Sequence, residues 1–144
     1  MIIACNTAHL ILDDLQMTTG LRFHSLIDAT IRHIGSTHSK TVGIIASPTT
    51  IRNRLYEKQL DTLGTKVLLP TAEELVKIER IIRSVIAGQS QKDNLKKIFL
   101  VADRMRNDGA DKILLGCTEL SVLNKEGVLK NSVDPLQIIT EEVL

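Results

Sequence analysis

Residues 41–50 read TVGIIASPTT. From Val42 to Ala46 the run is apolar without alternation, the pattern of a strand covered on both faces, as in a parallel sheet. Ser47 breaks the run, and Pro48-Thr49-Thr50 opens a helix, because proline fits the first helical turn, where its missing N–H is not needed. The ten residues therefore spell half of a βα unit.

The same alternation extends in both directions. Downstream, a helix is predicted over Ile51 to Leu63, then a strand at KVLL (66–69) halted by Pro70. The stretch 71–88, TAEELVKIERIIRSVIAG, has helical apolar spacing, with Thr71 placed to cap it, Glu74 three residues on and Gly88 at its end. Residues 93–109 repeat the helical period, DKILLGC (111–117) is a buried strand ending in cysteine, and SVDPLQIITEEVL (132–144) is a strand, a turn and a closing helix. Upstream, MIIA (1–4) and FHSLID (23–28) are short strands, followed by helices over Ala8–Gln16 and residues 29–35. This predicts an α/β fold, mostly parallel sheets flanked by helices.

Composition agrees with that class and narrows the function. The chain has 144 residues, enough for one compact domain, with 43% hydrophobic but only 2% aromatic residues, so the core is built from Leu, Ile, Val and Ala. Eighteen Lys and Arg face seventeen Asp and Glu, spread along the chain. Neither a nucleic-acid surface nor a membrane surface is predicted, and no run is long and apolar enough to span a bilayer. Two cysteines and no leader pattern place the chain in a reducing cytoplasm.

Those cysteines occupy equivalent places. Cys5 follows IIA and Cys117 follows KILLG, each with a threonine within two residues, in ACNTAH and GCTEL. Open α/β sheets bind ligands at the carboxyl ends of their strands, so both thiols are expected to face one cleft. A helix N-terminus beside each would favour thiolate, and its amides, with Asn6, Thr7 and Thr118, would hold a carboxylate. Three other readings stand beside this one: a cysteine as a small buried apolar residue, a disulfide between the two, or zinc on Cys5 and His9 at i, i+4 spacing without further paired ligands.

ACNTAH and LLGCTEL together resemble the two cysteine signatures of the aspartate/glutamate racemase superfamily. The Glu in GCTE is more similar to the aspartate racemase branch, since glutamate racemases usually carry His there. VGIIASPTTIRNRLY, KVLLPTAEE and VDPLQIITEEV resemble the family's intervening landmarks in the correct order. The resemblance implies a cofactor-independent racemase of two pseudo-symmetric domains with the active site between them. One cysteine thiolate removes the α-proton of the amino acid, and the other thiol returns a proton to the opposite face. It implies Cys5 and Cys117 as the catalytic pair, with Asn6, Thr7, Ser47, Thr50 and Thr118 holding substrate, Ser47 replacing the family's usual Thr. Glu119 would tune Cys117 or cap the next helix. Lys92 lies near the family's basic residue for a side-chain carboxylate, with a solvated lysine as the alternative. His9 is expected on a helix face, and Lys77, Arg80 and Arg83 on a wet one.

In the family, a first strand, a Gly-rich loop, further βα units and a substrate-binding arginine precede the Cys5 motif. The resemblance therefore implies a chain without the N-terminal third: residues 1–39 as a remnant of the first domain, 40–130 as the second α/β domain, and 131–144 as a closing strand and helix returning to the first. MIIA would be a central strand with an uncovered edge. Aspartate or glutamate is the implied substrate, no cofactor or metal is implied, and family members often form homodimers. The alternative function is a catalytically inactive fragment that self-associates or pairs with another chain.

Overall fold

A computed structural model of the protein describes residues 1–89 and 91–143. A 3-10 turn over Thr7–Ile11 leads into α1 (Leu12–Thr19), followed by α2 (Leu26–Ser36), β1 (Thr41–Ala46), α3 (Pro48–Arg52), α4 (Glu57–Thr62) and β2 (Lys66–Leu68). The chain continues through α5 (Ala72–Ile86), α6 (Gln91–Asn107), β3 (Lys112–Gly116), α7 (Thr118–Leu123), β4 (Ser132–Val133) and α8 (Pro135–Val143). Leu144, the last residue of the expected closing helix, lies outside the described residues.

Four parallel strands form one sheet in the order β2-β1-β3-β4. The expected α/β class with a parallel sheet is what forms. β1 and β3 make the central pair, in register from Val42 against Lys112 to Ala46 against Gly116. Both are buried along nearly their whole length, which explains their unbroken apolar runs. One face is covered by α2 and α8, with Leu26, Ile34, Ile44, Leu114 and Ile139 at its centre. The other is covered by α5, α6 and α7, around Ile45, Ile78, Met105, Ile113 and Leu115. Thr71 and Glu74 form the capping box expected at the start of α5. On its outer face Lys77 pairs with Glu73 and Arg83 with Glu79, so these two belong to a solvated surface as anticipated.

Three local expectations need correction. MIIA forms no strand; it makes one isolated parallel bridge, Ile2 to His24, beside the His24 N–H bonded to Met1 O at 2.8 Å. A strand without a ladder on either side cannot propagate beyond such a bridge. FHSLID is not a strand either, because the Ser25 side chain accepts the Asp28 N–H and starts α2 at Leu26. The helix expected over Ile51–Leu63 is broken between α3 and α4, where Arg54 adopts a φ of 52°. The first helix also begins as a 3-10 turn and runs on to Thr19, closed by Gly20 at a φ of 67°.

The break leaves Glu57 3% exposed in the first turn of α4, with both carboxyl oxygens buried and without a hydrogen bond of ordinary geometry. Burial pushes its pKa up from the ordinary 4.5, opposed in part by the Glu57 and Tyr56 amides and the Arg54 charge. A raised folded-state pKa means stability that is fully present below 4.5 and is lost as pH rises through the higher folded value. Glu57→Gln, which cannot ionise, is expected to flatten that dependence, so that its stability relative to wild type improves as pH rises above 4.5. Chemical denaturation across that range checks this; a pH-independent difference would refute it.

Candidate active site

β1 is the topological switch point of the sheet: from it the chain crosses to β2 on one side, and β3 returns on the other. In open α/β sheets the crevice outside the carboxyl ends of the strands at such a point is where ligands bind. The first residues beyond those ends are Ser47 after β1, Cys117 after β3 and Asp134 after β4.

Cys117 is the N-cap residue of α7, and its Sγ–H donates to Glu119 Oε2 at 2.8 Å. Thr118 Oγ1 donates to the same oxygen at 3.3 Å. The expectation of a thiol pKa lowered by the helix start is reversed. Burial, first, and then the hydrogen bond and negative charge of Glu119 hold Cys117 well above the usual thiol range, and Cys5 adds a smaller upward push. The Glu119 backbone amide works the other way without prevailing. Cys117 is therefore a protonated thiol at neutral pH, hydrogen-bonded to a carboxylate that favours the protonated form.

Cys5 lies just before the 3-10 turn, half-buried, with Sγ 3.3 Å from Thr7 Oγ1. Asn6 beside it is 3% exposed. Tyr56 donates its phenol proton to Asn6 Oδ1, leaving Nδ2 buried with no hydrogen-bond partner among the described residues. The Tyr56 ring also packs on the other cysteine's strand: a Cβ at Gly116 would stand 3.3 Å from Tyr56 Cε2 and 2.9 Å from Ala46 Cβ. Glycine at 116 is what lets the ring approach. Tyr56 thus joins the Cys5-Asn6 segment to the Gly116-Cys117 segment. Its own pKa is driven far up, chiefly by burial, with Thr30 hydrogen bonding opposing and the electrostatics of the Cys117 and Asp134 side chains reinforcing. Asp134 accepts from Ser121 Oγ at 2.7 Å and from Leu136 N at 3.0 Å, fixing the start of α8 at this edge.

The remaining candidates are less exposed to a ligand or farther from the thiols' contacts. Ser47 Oγ caps α3 by accepting the Thr50 N–H at 3.2 Å, and Thr50, fully buried, keeps its hydroxyl 3.0 Å from that same oxygen. Lys92 is exposed on the first turn of α6 and makes no ion pair among the described residues. His9 does not sit on an open helix face: both ring nitrogens are used by main-chain groups, at Cys5 O and Leu26 N. The thiols are free. The cavity of about 650 Å³ between α5 and α6 contains none of these side chains; it is lined by residues such as Lys77, Arg80 and Lys97. Tyr56 and Asp134 were missed by sequence reasoning. The single tyrosine of a chain with only three aromatic residues was the available signal for Tyr56, and the Asp-Pro helix start was the signal for Asp134.

Comparison with known proteins follows the same lines. An aspartate racemase homologue from Pyrococcus horikoshii OT3 superposes with a TM-score of 0.78 at 31% identity, covering 98% of this chain and 63% of that one. Glutamate racemase from Francisella tularensis, solved with D-glutamate, shares the fold with a TM-score of 0.70 at 23% identity, covering 99% of this chain and 54% of that one. Glutamate racemase from Buchnera aphidicola is 34% identical over 131 residues, 88% of this chain and 49% of its own length. The chain thus spans about half the length of the glutamate racemases it matches. A protein of the pnlA 3′ region of Pectobacterium carotovorum is 27% identical over 116 residues, 77% of its length. No helix among the described residues is long and apolar enough to cross a membrane. The profile of the Asp/Glu/hydantoin racemase family matches residues 1–143, and the chain belongs to that family.

Proposed function

We propose that the chain racemises a small dicarboxylic amino acid, aspartate foremost, without a cofactor, using Cys5 and Cys117 as the acid/base pair. The observation that carries this reading is the Cys117 thiol donating to Glu119 at the switch-point edge, linked through Tyr56 to the Cys5-Asn6 segment. Inversion needs a group on each face of the α-carbon, because a single base returns the proton to the side it came from. In one direction Cys5, as thiolate, takes the α-proton while Cys117 gives its Sγ–H to the opposite face. In the other direction Cys117 must first be deprotonated, an uphill step because burial and the Glu119 charge favour the thiol, and Glu119, already accepting its hydrogen bond, is the group placed to receive the proton. The developing negative charge on the substrate is met by Asn6 Nδ2, with Thr7 and Thr118 at the rim. Ser47 and Thr50 shape the β1 side of the crevice, and Lys92 serves the side-chain carboxylate.

Residues 1–39 and 131–144 form the half of the site that carries the first thiol, and residues 40–130 the half that carries the second. Free thiols used in this way fit a reducing cytoplasm. The test is proton NMR in heavy water with L- and D-aspartate and L- and D-glutamate. Loss of the α-proton signal is expected with either enantiomer, faster for aspartate. No exchange with any of the four by folded protein would overturn the reading.

A further inference from the structure

His9 is engaged at both ring nitrogens. Nδ1 lies 2.9 Å from the carbonyl oxygen of Cys5, and Nε2 lies 2.9 Å from the backbone nitrogen of Leu26. An amide N–H only donates and a carbonyl only accepts, so one neutral tautomer satisfies both bonds: Nδ1 protonated, Nε2 bare. The opposite tautomer fails at both, and the imidazolium sets N–H against N–H at Leu26.

We propose that His9 is a positioning residue that, as the Nδ1–H tautomer, straps the main chain of the first cysteine to the start of α2. The anchor is a firm one. Leu26, Ala29 and Ile34 of α2 are fully buried on the sheet, and the Leu26 amide is among the helix-start donors that no residue of the helix itself can satisfy. The strapped segment has little else to fix it. Met1 and Ile2 are exposed and held at the far end of the segment, Met1 by Arg22 O and His24 N and Ile2 by its bridge to His24, and the Thr7 hydroxyl touches the Cys5 side chain and not its backbone. Where the thiol stands is therefore set by the imidazole together with the Asn6–Tyr56 bond. The catalytic consequence rests on the reading of Cys5 as an acid/base group; the strap itself does not. A displacement of ~1 Å at a reacting group lowers rate by roughly 10²-fold.

The 144-residue chain is tested in two ways that do not require turnover. A long-range proton–nitrogen correlation spectrum of histidine-labelled protein at neutral pH should show His9 with Nδ1 protonated and Nε2 bare; a protonated Nε2 would overturn the proposal. In His9→Ala, alkylation by iodoacetamide, resolved by mass spectrometry, should change at Cys5 by about tenfold, the scale of a small local opening free energy, and stay nearly constant at Cys117. His9→Gln, whose Oε1 can accept the Leu26 N–H, should restore part of the Cys5 rate. Equal effects at both thiols would mark a general loss of structure and refute a local strap, as would no effect at either. If the wild type racemises, His9→Ala should lower kcat far more than it raises KM. Absence of racemisation by the wild type refutes the proposed activity and leaves the tautomer and alkylation results to decide the strap.

Discussion

Replacing Cys117 by Ser should abolish α-proton exchange from one face of the substrate, a loss of at least about 10³-fold, since a serine hydroxyl neither gives nor takes a proton at neutral pH as a thiol does. Cys5→Ser should do the same for the other face. The two single variants are distinguishable: in heavy water each should retain whatever exchange its remaining thiol supports, on opposite enantiomers, while racemisation falls in both. Exchange unchanged in either variant would remove that cysteine from the mechanism. Glu119→Gln refines the picture. Because the Glu119 hydrogen bond and charge are the second and third causes of the raised Cys117 pKa, their removal should move thiolate formation, read by the pH dependence of alkylation, to lower pH. Burial, the first cause, remains, so the thiol should stay above its ordinary range. Loss of racemisation in Glu119→Gln together with faster alkylation of Cys117 would identify the carboxylate as the base that resets this thiol; unaltered racemisation would show that water does so.

Tyr56→Ala should lower stability by about 3–5 kcal/mol, the usual cost of emptying a fully buried aromatic site. The ring lies against the space that Gly116 leaves beside Ala46. Tyr56→Phe separates packing from polarity. It keeps the ring and deletes the phenol, stranding a buried amide oxygen on Asn6 at a cost of about 1–3 kcal/mol. If the bond also orients Asn6, then Tyr56→Phe should weaken substrate binding in racemisation assays beyond what its stability loss accounts for. Denaturant unfolding of both variants settles the ordering. A phenylalanine variant as damaged as the alanine variant would mean that the hydrogen bond, and not the ring, dominates.

How far these properties were legible in the sequence depended on how local their causes are. Val42–Ala46 and Ile113–Gly116 were readable because strands buried on both faces need apolar residues at every position. Thr71 and Glu74 were readable because a capping box is completed within four residues. MIIA has the composition of a strand, yet a strand exists only with a partner, and its partner here is a single residue, His24. FHSLID looked extended until Ser25 took the cap position, a local cue outweighed by the apolar residues around it. Cys5 and Cys117 were singled out by their polar neighbours. The protonation state of Cys117 was not, since it follows from burial and from where the Glu119 carboxylate folds back. Tyr56 reaches Asn6 across fifty positions, and no sequence pattern at either end announces such a contact.

The strand order carries a kinetic meaning as well. β1 and β3, the central pair, are adjacent in space but separated in the chain by four helices and β2, so their union closes a long loop. Such non-local pairing slows folding, while the α5–α6 hairpin, whose contacts are local, is free to form early. Cys117 sits one residue past the end of that late-formed pair. In the unfolded chain its thiol is open to water, and it gains its shielded place and its raised pKa only once β3 has docked and the sheet is complete.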